Sequence, residues 1–445
     1  MKTSGKDRKR LSGDGLIELL RQDFEKIPDH RQQGKVKFQL ADVLMAGYSM
    51  FSLKMSSLLQ FTSEAGKDDT ISGNVRRVYG IDQLPSDTQM REILDLVEPT
   101  EILPSFHHIF AQIQRGKGLE KFQVLDKHYL LSLDGTGYFS SDTIHCDCCQ
   151  EKKHKSGEVS YSHAMLGAAI VCPGIKQVIP LAPEPIIKQD GETKNDCERN
   201  AAKRFLEGFR RNHPHLPTII VEDGLASNAP HIRELQKHNC HYILGAKDGD
   251  HRFLFNWINH EDTMGNVEKF EITDPDGTIH RFRCKNNVPL NESNLDVEVN
   301  FLEYWQIKGD KTLHFSWVTD LDINRKNAYK IMRCGRARWK IENETFNTLK
   351  NRGYHFEHNY GHGNKNLSVN LALLMMLAFL TDQAQEICCR LFQKALEKVE
   401  RKKYLWERLR SLVCSAFLVN SWRDLLGALL YGIEPQVMKV CWNTS

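Results

Sequence analysis

The order of apolar segments between residues 129 and 245 constrains the fold of this 445-residue chain more than any other feature. Three strand-like runs come first, a helical pattern follows, and then a strand, a helix and a strand alternate. The predicted strands cover 129–133, 160–171, 176–182, 218–221 and 241–245, and the predicted helices cover 196–211 and 228–238. Pro180 suggests an edge or a bulge for the third strand. This order predicts an α/β fold built on one sheet.

Acidic residues follow two of these strands. Asp134 comes after the first strand and precedes Gly135, and Asp223 comes after the fourth strand and precedes Gly224. Either Asp-Gly pair alone is also typical of a turn. Residues at strand ends of an open sheet gather at one edge, and Glu342, which opens a predicted long basic helix, can join them there. Because carboxylates suit Mg²⁺, and two ions about 4 Å apart can hold the reacting oxygens of a phosphodiester, we predict a two-metal site.

The same positions carry a family resemblance. The matching motifs are Asp134-Gly-Thr, Asp223-Gly and Arg338-Trp-Lys-Ile-Glu342. With the order of elements, they resemble a DDE transposase of bacterial insertion sequences, in the branch with a Tyr-Arg-Glu-Lys signature. The resemblance implies an α/β, ribonuclease H-like mixed sheet flanked by helices, with a β-rich insertion and helical N- and C-terminal regions.

The resemblance also implies a function, which is metal-dependent cleavage of DNA at element ends followed by strand transfer. The implied ligands of two Mg²⁺ or Mn²⁺ ions are Asp134, Asp223 and Glu342. Arg338, one helical turn before Glu342, would neutralise phosphate charge or orient that carboxylate. Lys350 would grip the DNA end, although it lies one residue beyond the signature spacing, and Gly335 stands where the signature has tyrosine. The implied partners are the terminal inverted repeats and target DNA, both double-stranded, bound by a homodimer.

Three regions are predicted along the chain. Residues 1–125 read as a helical N-terminal region, which the resemblance makes a DNA-binding region. It includes an apolar helical stretch at 39–60 and a capping box that begins at Ser86. Residues 126–380 form the predicted catalytic domain, with the β-rich insertion at about 255–322. Residues 381–445 form a helical C-terminal region.

Basic residues are concentrated locally, although the net charge of the whole chain is only +3. Residues 325–352 contain nine Lys or Arg and two Glu, a net charge of +7 on one predicted helix. Further basic clusters lie at 203–204, 210–211 and 401–410. Any one cluster is equally well explained as a solvated helix face. Several of them beside a carboxylate site favour contact with a phosphate backbone.

Cysteine content and the N-terminus bear on the compartment. Twelve cysteines without a secretory signal in residues 1–10 predict reduced thiols in a cytoplasmic, nucleoid-associated protein. The longest apolar run, Leu371–Leu380, is half the roughly 20 residues that a membrane span needs, so we predict a buried helix and no membrane contact.

A possible zinc motif consists of Cys146 and Cys149, which have C-x-x-C spacing, with His154 and His163 nearby. Thiolate and imidazole are typical zinc ligands. A second ligand pair at a defined spacing is missing, so we interpret these cysteines as core or incidental residues in preference to a structural Zn²⁺ site.

Several alternatives remain open. A ribonuclease H-like DNA nuclease without strand transfer would use the same acids, and a non-catalytic DNA-binding relic would retain only the fold. His355, His358 and His362 lie beyond the Glu342 helix and either contact the DNA or belong to an ordinary loop. Glu184 and Asp190 are rival carboxylates, interpreted as surface or supporting residues.

Overall fold

One large mixed sheet forms the centre of the protein. The structure is a computed structural model that describes residues 9–32, 34, 36–187, 197–415 and 417–432. Within these residues the sheet has twelve strands: β1 Gln123–Val124, β2 His128–Ser141, β3 Gln150–Lys153, β4 Val159–Cys172, β5 Ile175–Pro180, β6 Glu184–Ile186, β7 Thr218–Glu222, β8 His241–Gly245, β9 Glu268–Thr273, β10 Ile279–Asn291, β11 Asn294–Lys308 and β12 Lys311–Thr319. Its main path runs β3-β4-β2-β7-β8-β12-β11-β10-β9, while β5 and β6 pair with β4 and β1 pairs with β2.

The strand order predicted from the sequence is confirmed. The predicted strands correspond to β2, β4, β5, β7 and β8, and they pair in the order β5-β4-β2-β7-β8. Strand β2 pairs antiparallel with β4 and parallel with β7, and β7 pairs parallel with β8. Helices precede and follow β7, as the apolar pattern predicted. The chain therefore has the ribonuclease H-like arrangement of a mixed sheet flanked by helices.

Strand β2 does not end at Asp134, contrary to the sequence prediction. It continues to Ser141, because β4 remains paired with it as far as Tyr161. The parallel neighbour β7 stops much earlier, at Glu222. Asp134 therefore lies where its neighbour ends, which leaves one side of β2 open beside it.

The β-rich insertion extends the same sheet. It joins the core through β12 and β8, with Trp317 opposite Gly245. Strands β9 to β12 form an antiparallel meander, and a turn at 274–277 separates β9 from β10. The first part of the predicted 255–322 insertion is helical instead, because residues 252–263 form an amphipathic helix that buries Leu254 and Ile258.

Fifteen α-helices flank the sheet among the residues that are described. They are α1 Gly13–Phe24, α2 Leu40–Ser52, α3 Leu58–Lys67, α4 Asp69–Tyr79, α5 Asp87–Asp95, α6 Leu103–Arg115, α7 Glu198–Asn212, α8 Ala229–Lys237, α9 Arg252–Thr263, α10 Ala328–Arg336, α11 Asn347–Asn351, α12 Leu367–Cys388, α13 Arg390–Val399, α14 Lys402–Val413 and α15 Trp422–Tyr431. The N- and C-terminal regions are helical as predicted, and the capping box at Ser86 is present. The stretch 39–60 contains α2 and the start of α3, which are separate helices because Lys54 has a positive φ of 56°.

Helix α12 is the central helix of the helical layer. It is long and apolar enough to cross a membrane, but 94% of its apolar window is buried inside the protein. It packs against α2, α5, α6 and β5. The predicted buried run 371–380 lies within it, and the N- and C-terminal helices share this one core. For example, the Asn74 amide of α4 donates to the Phe417 carbonyl, 2.7 Å away.

The predicted long basic helix is interrupted. Helix α10 ends at Arg336, a 3₁₀ turn covers 337–339, a π-helical segment covers 341–346, and α11 follows. The wider π turn positions the Phe346 ring directly over Gly167 of β4, where a Cβ would fall 2.6 Å from Phe346 Cε1. Such π turns occur frequently at functional sites, and this one contains Glu342.

Candidate active site

Asp134 and Asp223 lie side by side on neighbouring strands. The parallel register sets Ser132 of β2 opposite Val221 of β7, and each aspartate comes two residues later on its own strand. Both residues line one open cavity of about 600 Å³ together with Glu198 and Glu222. The register thus brings together two acids that are far apart in the sequence.

Glu342 is connected to this pair through Arg338. The Arg338 Nη1 atom lies 2.7 Å from Glu342 Oε1 and 3.6 Å from Asp134 Oδ2. The main-chain carbonyl of Arg338 also accepts a hydrogen bond from the Ser132 hydroxyl at 3.0 Å, which ties the 3₁₀ turn to β2. The arginine therefore occupies the position predicted for a residue that orients the Glu342 carboxylate.

Negative charge is concentrated around Asp134. Burial raises the pKa of its carboxyl to about 7; the Arg338 charge opposes this shift, and the charges of Glu342, Glu198 and Asp223 add to it. The described acids do not form a group of three whose ligand atoms lie within 4.8 Å of one another. Hard oxygen donors that repel one another suit divalent cations such as Mg²⁺, whose charge would offset that repulsion.

We expect Asp134→Asn to stabilise the metal-free protein, and to do so more at pH 8 than at pH 5. A carboxyl whose folded pKa is raised to about 7 binds its proton more tightly in the folded state than in the unfolded state, so folding stability rises as pH falls through 7. Removing the charge should raise Tm by roughly a few degrees at pH 8 in EDTA. Thermal unfolding at both pH values checks this, with the exposed Asp250→Asn as control. A larger increase in Tm at pH 5 than at pH 8 would contradict this prediction.

Glu222 precedes Asp223 and also lines the cavity, but its carboxylate has a side-chain partner. Its Oε2 atom lies 2.6 Å from Nε2 of His231 on α8. Burial alone would lower the pKa of His231, but the Glu222 carboxylate outweighs it and the pKa is raised. The Glu222 carboxylate is therefore already engaged by His231. Asp223 instead accepts a hydrogen bond from the Leu225 N–H at 3.0 Å, which fixes its carboxylate at the cavity.

Glu198 is a cavity residue that the sequence analysis missed. It begins helix α7, and a Cβ on Gly135 would fall 1.9 Å from its Oε1 atom, so the carboxylate lies directly against the glycine after Asp134. Partial burial, with the charges of Asp223 and Glu222, raises the pKa of Glu198. An acid in the first turn of a helix is common for dipole reasons alone, so the sequence carries no distinguishing signal.

Comparison with known proteins identifies the family. The family described as "Transposase DDE domain" matches residues 148–380, more than half of the chain. The chain belongs to this transposase family. The matched range contains Asp223 and Glu342 and begins after Asp134. Membership implies an enzyme that cleaves nucleic acid, acts on DNA and uses divalent metal ions.

The remaining comparisons add little to this assignment. No curated protein matches the transposase significantly. Among solved structures, the NurA nuclease from Sulfolobus solfataricus is similar at 14% identity, with 54% of this chain and 85% of that chain covered and a TM-score of 0.22. A TM-score this low does not indicate a shared fold.

The remaining predicted site residues have other partners in the transposase. The Lys350 ammonium lies 2.8 Å from Glu357, and Glu184 accepts a hydrogen bond from Arg204 at 2.6 Å. Asp190 lies outside the described residues. His355 and His358 are exposed on the loop after α11, which is compatible with both interpretations.

The basic clusters divide into structural and exposed residues. Arg210 was predicted to contribute to DNA contact, but its guanidinium caps four backbone carbonyls, including that of His238 at 2.6 Å. Lys402 pairs with Glu386 at 2.6 Å, and Lys340 donates to the Ile175 carbonyl at 2.8 Å. The exposed cations of the 325–352 run are Arg325, Lys326, Lys330, Arg333 and Arg352. Besides Arg338 at the active site, these are the residues of the run that remain candidates for phosphate contact.

Gly335 departs from the tyrosine of the signature for a steric reason. It lies on the face of α10 that packs against β12, where a Cβ would fall 2.5 Å from the Trp317 indole nitrogen. This site has no room for a tyrosine side chain, so the transposase cannot use one here.

Cys146 and Cys149 have potential metal ligands beside them. Both are buried as core cysteines would be, but they form a cluster with His163 and His362 in which one ligand atom of each residue lies within 4.8 Å of the others. The sequence indicated His163 as a neighbour of these cysteines but did not indicate His362 as their neighbour in space. No sequence spacing could reveal it, because His362 lies 213 residues from Cys149.

Proposed function

We propose that this transposase cuts the ends of its own DNA element and joins the freed 3′ ends to target DNA. Asp134 shares a cavity with Asp223 and is connected to Glu342 through Arg338, and this arrangement in a chain of the DDE transposase family carries the proposal. The three acids would hold two Mg²⁺ or Mn²⁺ ions. Bound ions of this kind lower the pKa of water and stabilise a leaving oxygen.

Each active-site residue has a separate role in this proposal. Asp134 and Asp223 are fixed by adjacent strands and would provide the rigid half of the metal site. Glu342 would complete it from the π turn, held in position by Arg338. Once cations neutralise the carboxylates, the Arg338 guanidinium would be free to pair with a phosphate oxygen. Glu198 would add a further carboxylate at the same cavity.

Product analysis tests the proposal. The substrate is a DNA fragment ending in the inverted repeats that flank the coding region, mixed with target DNA and Mg²⁺ or Mn²⁺. We expect nicks at the element ends and a joined product on denaturing gels. Cut ends without joined strands would instead indicate a nuclease. Bound but uncut DNA would indicate a non-catalytic relic.

We also propose that the transposase belongs to the branch with the Tyr-Arg-Glu-Lys signature. Support comes from strands β9 to β12, which lie between Asp223 and Glu342, where that branch carries a β-strand insertion. In that branch the freed 3′-OH first attacks the opposite strand. A hairpin end of twice the expected single-strand length would support the branch, and open ends at every time point would contradict it.

A further inference from the structure

The cluster of Cys146, Cys149, His163 and His362 has the composition and geometry of a metal site. The two sulfurs lie 3.8 Å apart, and His163 Nε2 lies 3.3 Å from Cys146 Sγ and 3.4 Å from Cys149 Sγ. His362 Nε2 lies 3.3 Å from Cys149 Sγ. Tetrahedral zinc with ordinary bond lengths places two sulfurs about 3.8 Å apart and a sulfur and a nitrogen about 3.5 Å apart.

The surroundings of the cluster exclude both a disulfide and a nucleophilic cysteine. A disulfide needs sulfurs about 2.0 Å apart, and both cysteines are free thiols here. A nucleophilic cysteine with a histidine base needs access to a substrate, but all four residues are buried, and His163 has no exposed surface. The Tyr138 ring stacks on His163 with the ring centroids 5.7 Å apart, and the Phe139 ring lies 4.3 Å from that of His362.

Without a cation these buried polar groups have poor partners. The Nδ1 atoms of His163 and His362 have no hydrogen-bond partner, so the Nε2 atoms facing the sulfurs provide the polar contacts of both rings. Burying two imidazoles and two thiols this way is unfavourable unless something binds their lone pairs. Two thiolates and two neutral imidazoles in a tetrahedral arrangement select zinc among common divalent ions.

We propose that the cluster is a structural Zn²⁺ site that joins the catalytic sheet to the segment following Glu342. Cys146 and Cys149 lie between β2, which carries Asp134, and β3, while His163 lies on β4. His362 lies between α11 and α12, in a segment held by Asp95 of α5, which accepts a hydrogen bond from the Leu367 N–H at 2.9 Å.

A zinc ion would thus connect the sheet segment that carries Asp134 with the segment that follows Glu342. A second contact supports the same connection, since the Asp147 N–H donates to the Asn364 carbonyl at 3.1 Å. The ion would have no part in DNA chemistry, because the described acids of the active-site cavity do not contribute to this cluster. The proposal therefore stands independently of strand transfer.

Metal analysis of the purified full chain tests the proposal. We expect about one zinc per chain, as a closed four-ligand site requires. The Cys146→Ser, Cys149→Ser and His362→Ala variants should each lose most of it. The matched controls are the neighbours Cys148→Ser and His145→Ala, which lie outside the assigned ligand set and should retain it.

Two results would overturn the proposal. The first is a folded wild-type chain that contains no zinc and, after addition of Co²⁺, shows no visible absorption bands. Such bands are expected when thiolates bind cobalt in a tetrahedral site. The other is full zinc content in the folded double variant Cys146→Ser/Cys149→Ser, which would place the ion elsewhere, for example at the active-site carboxylates. If the ligand variants fail to fold, the wild-type zinc and cobalt measurements decide the question by themselves.

Discussion

The substitutions Asp134→Ala, Asp223→Ala and Glu342→Gln should each reduce DNA cleavage by roughly a thousandfold or more. Each removes a proposed metal ligand, and losing about 4 kcal/mol of transition-state stabilisation corresponds to that factor. Binding to the element ends should remain largely intact, because the exposed cations of the 325–352 run are unchanged. Nicking assays in Mg²⁺ and gel-shift titrations measure the two effects separately.

Glu344 offers a matched control for Glu342 within the same π-helical segment. Arg338 connects Glu342 to Asp134, whereas Glu344 has no ion pair with Arg338. We expect Glu344→Gln to reduce nicking and strand transfer only in part. If Glu344→Gln abolished both reactions and Glu342→Gln did not, the assignment of the third acid would be wrong. Near wild-type nicking by any of the three acid variants would remove that residue from the proposed metal site.

Lys54→Met should lower the free energy of unfolding by about 3–5 kcal/mol, the cost of leaving one member of a buried ion pair unpaired. The Lys54 ammonium lies 2.7 Å from Asp382 of α12, and these side chains are only 3% and 2% exposed. It also lies over the rings of Tyr354 and Trp406, 4.2 Å and 4.1 Å from their centroids. One cation thus connects the end of α2 with α12, α14 and the loop after α11. Urea unfolding followed by circular dichroism measures the loss.

The exposed Lys326→Met provides the control for removing a lysine charge without breaking a buried pair. Its unfolding midpoint should stay close to that of the wild type. The double variant Lys54→Met/Asp382→Leu should recover part of the lost stability, because no unpaired carboxylate remains buried. A loss below about 1 kcal/mol in Lys54→Met would mean that the ion pair contributes little to stability.

The order of strands and helices was predictable because it depends on local patterns. Apolar runs and helical periodicity indicate which segments are buried and in what form, and they correctly predicted β2, β4, β5, β7 and β8 with the helices around β7. The predicted proximity of Asp134 and Asp223 rested on the same logic, since parallel strands place equivalent residues side by side. A short motif containing Arg338 and Glu342 then added the third acid.

The sequence could not predict contacts between distant segments. The position of Glu198 against Gly135 depends on how α7 packs over β2, and the capping role of Arg210 depends on loops that no periodicity describes. The π turn around Glu342 likewise accompanies a contact between distant segments, that of Phe346 with Gly167 of β4.

The cysteine and histidine cluster shows most clearly the difference between what local sequence patterns predict and what depends on packing. The sequence by itself determined the ribonuclease H-like sheet and the two aspartates on it, because local apolar periodicity encodes burial. It also supplied Cys146 and Cys149 as a close pair. The sequence also placed His163 nearby. Only the tertiary structure added His362, because local sequence indicates whether a side chain is buried, whereas its partners depend on how separate segments pack.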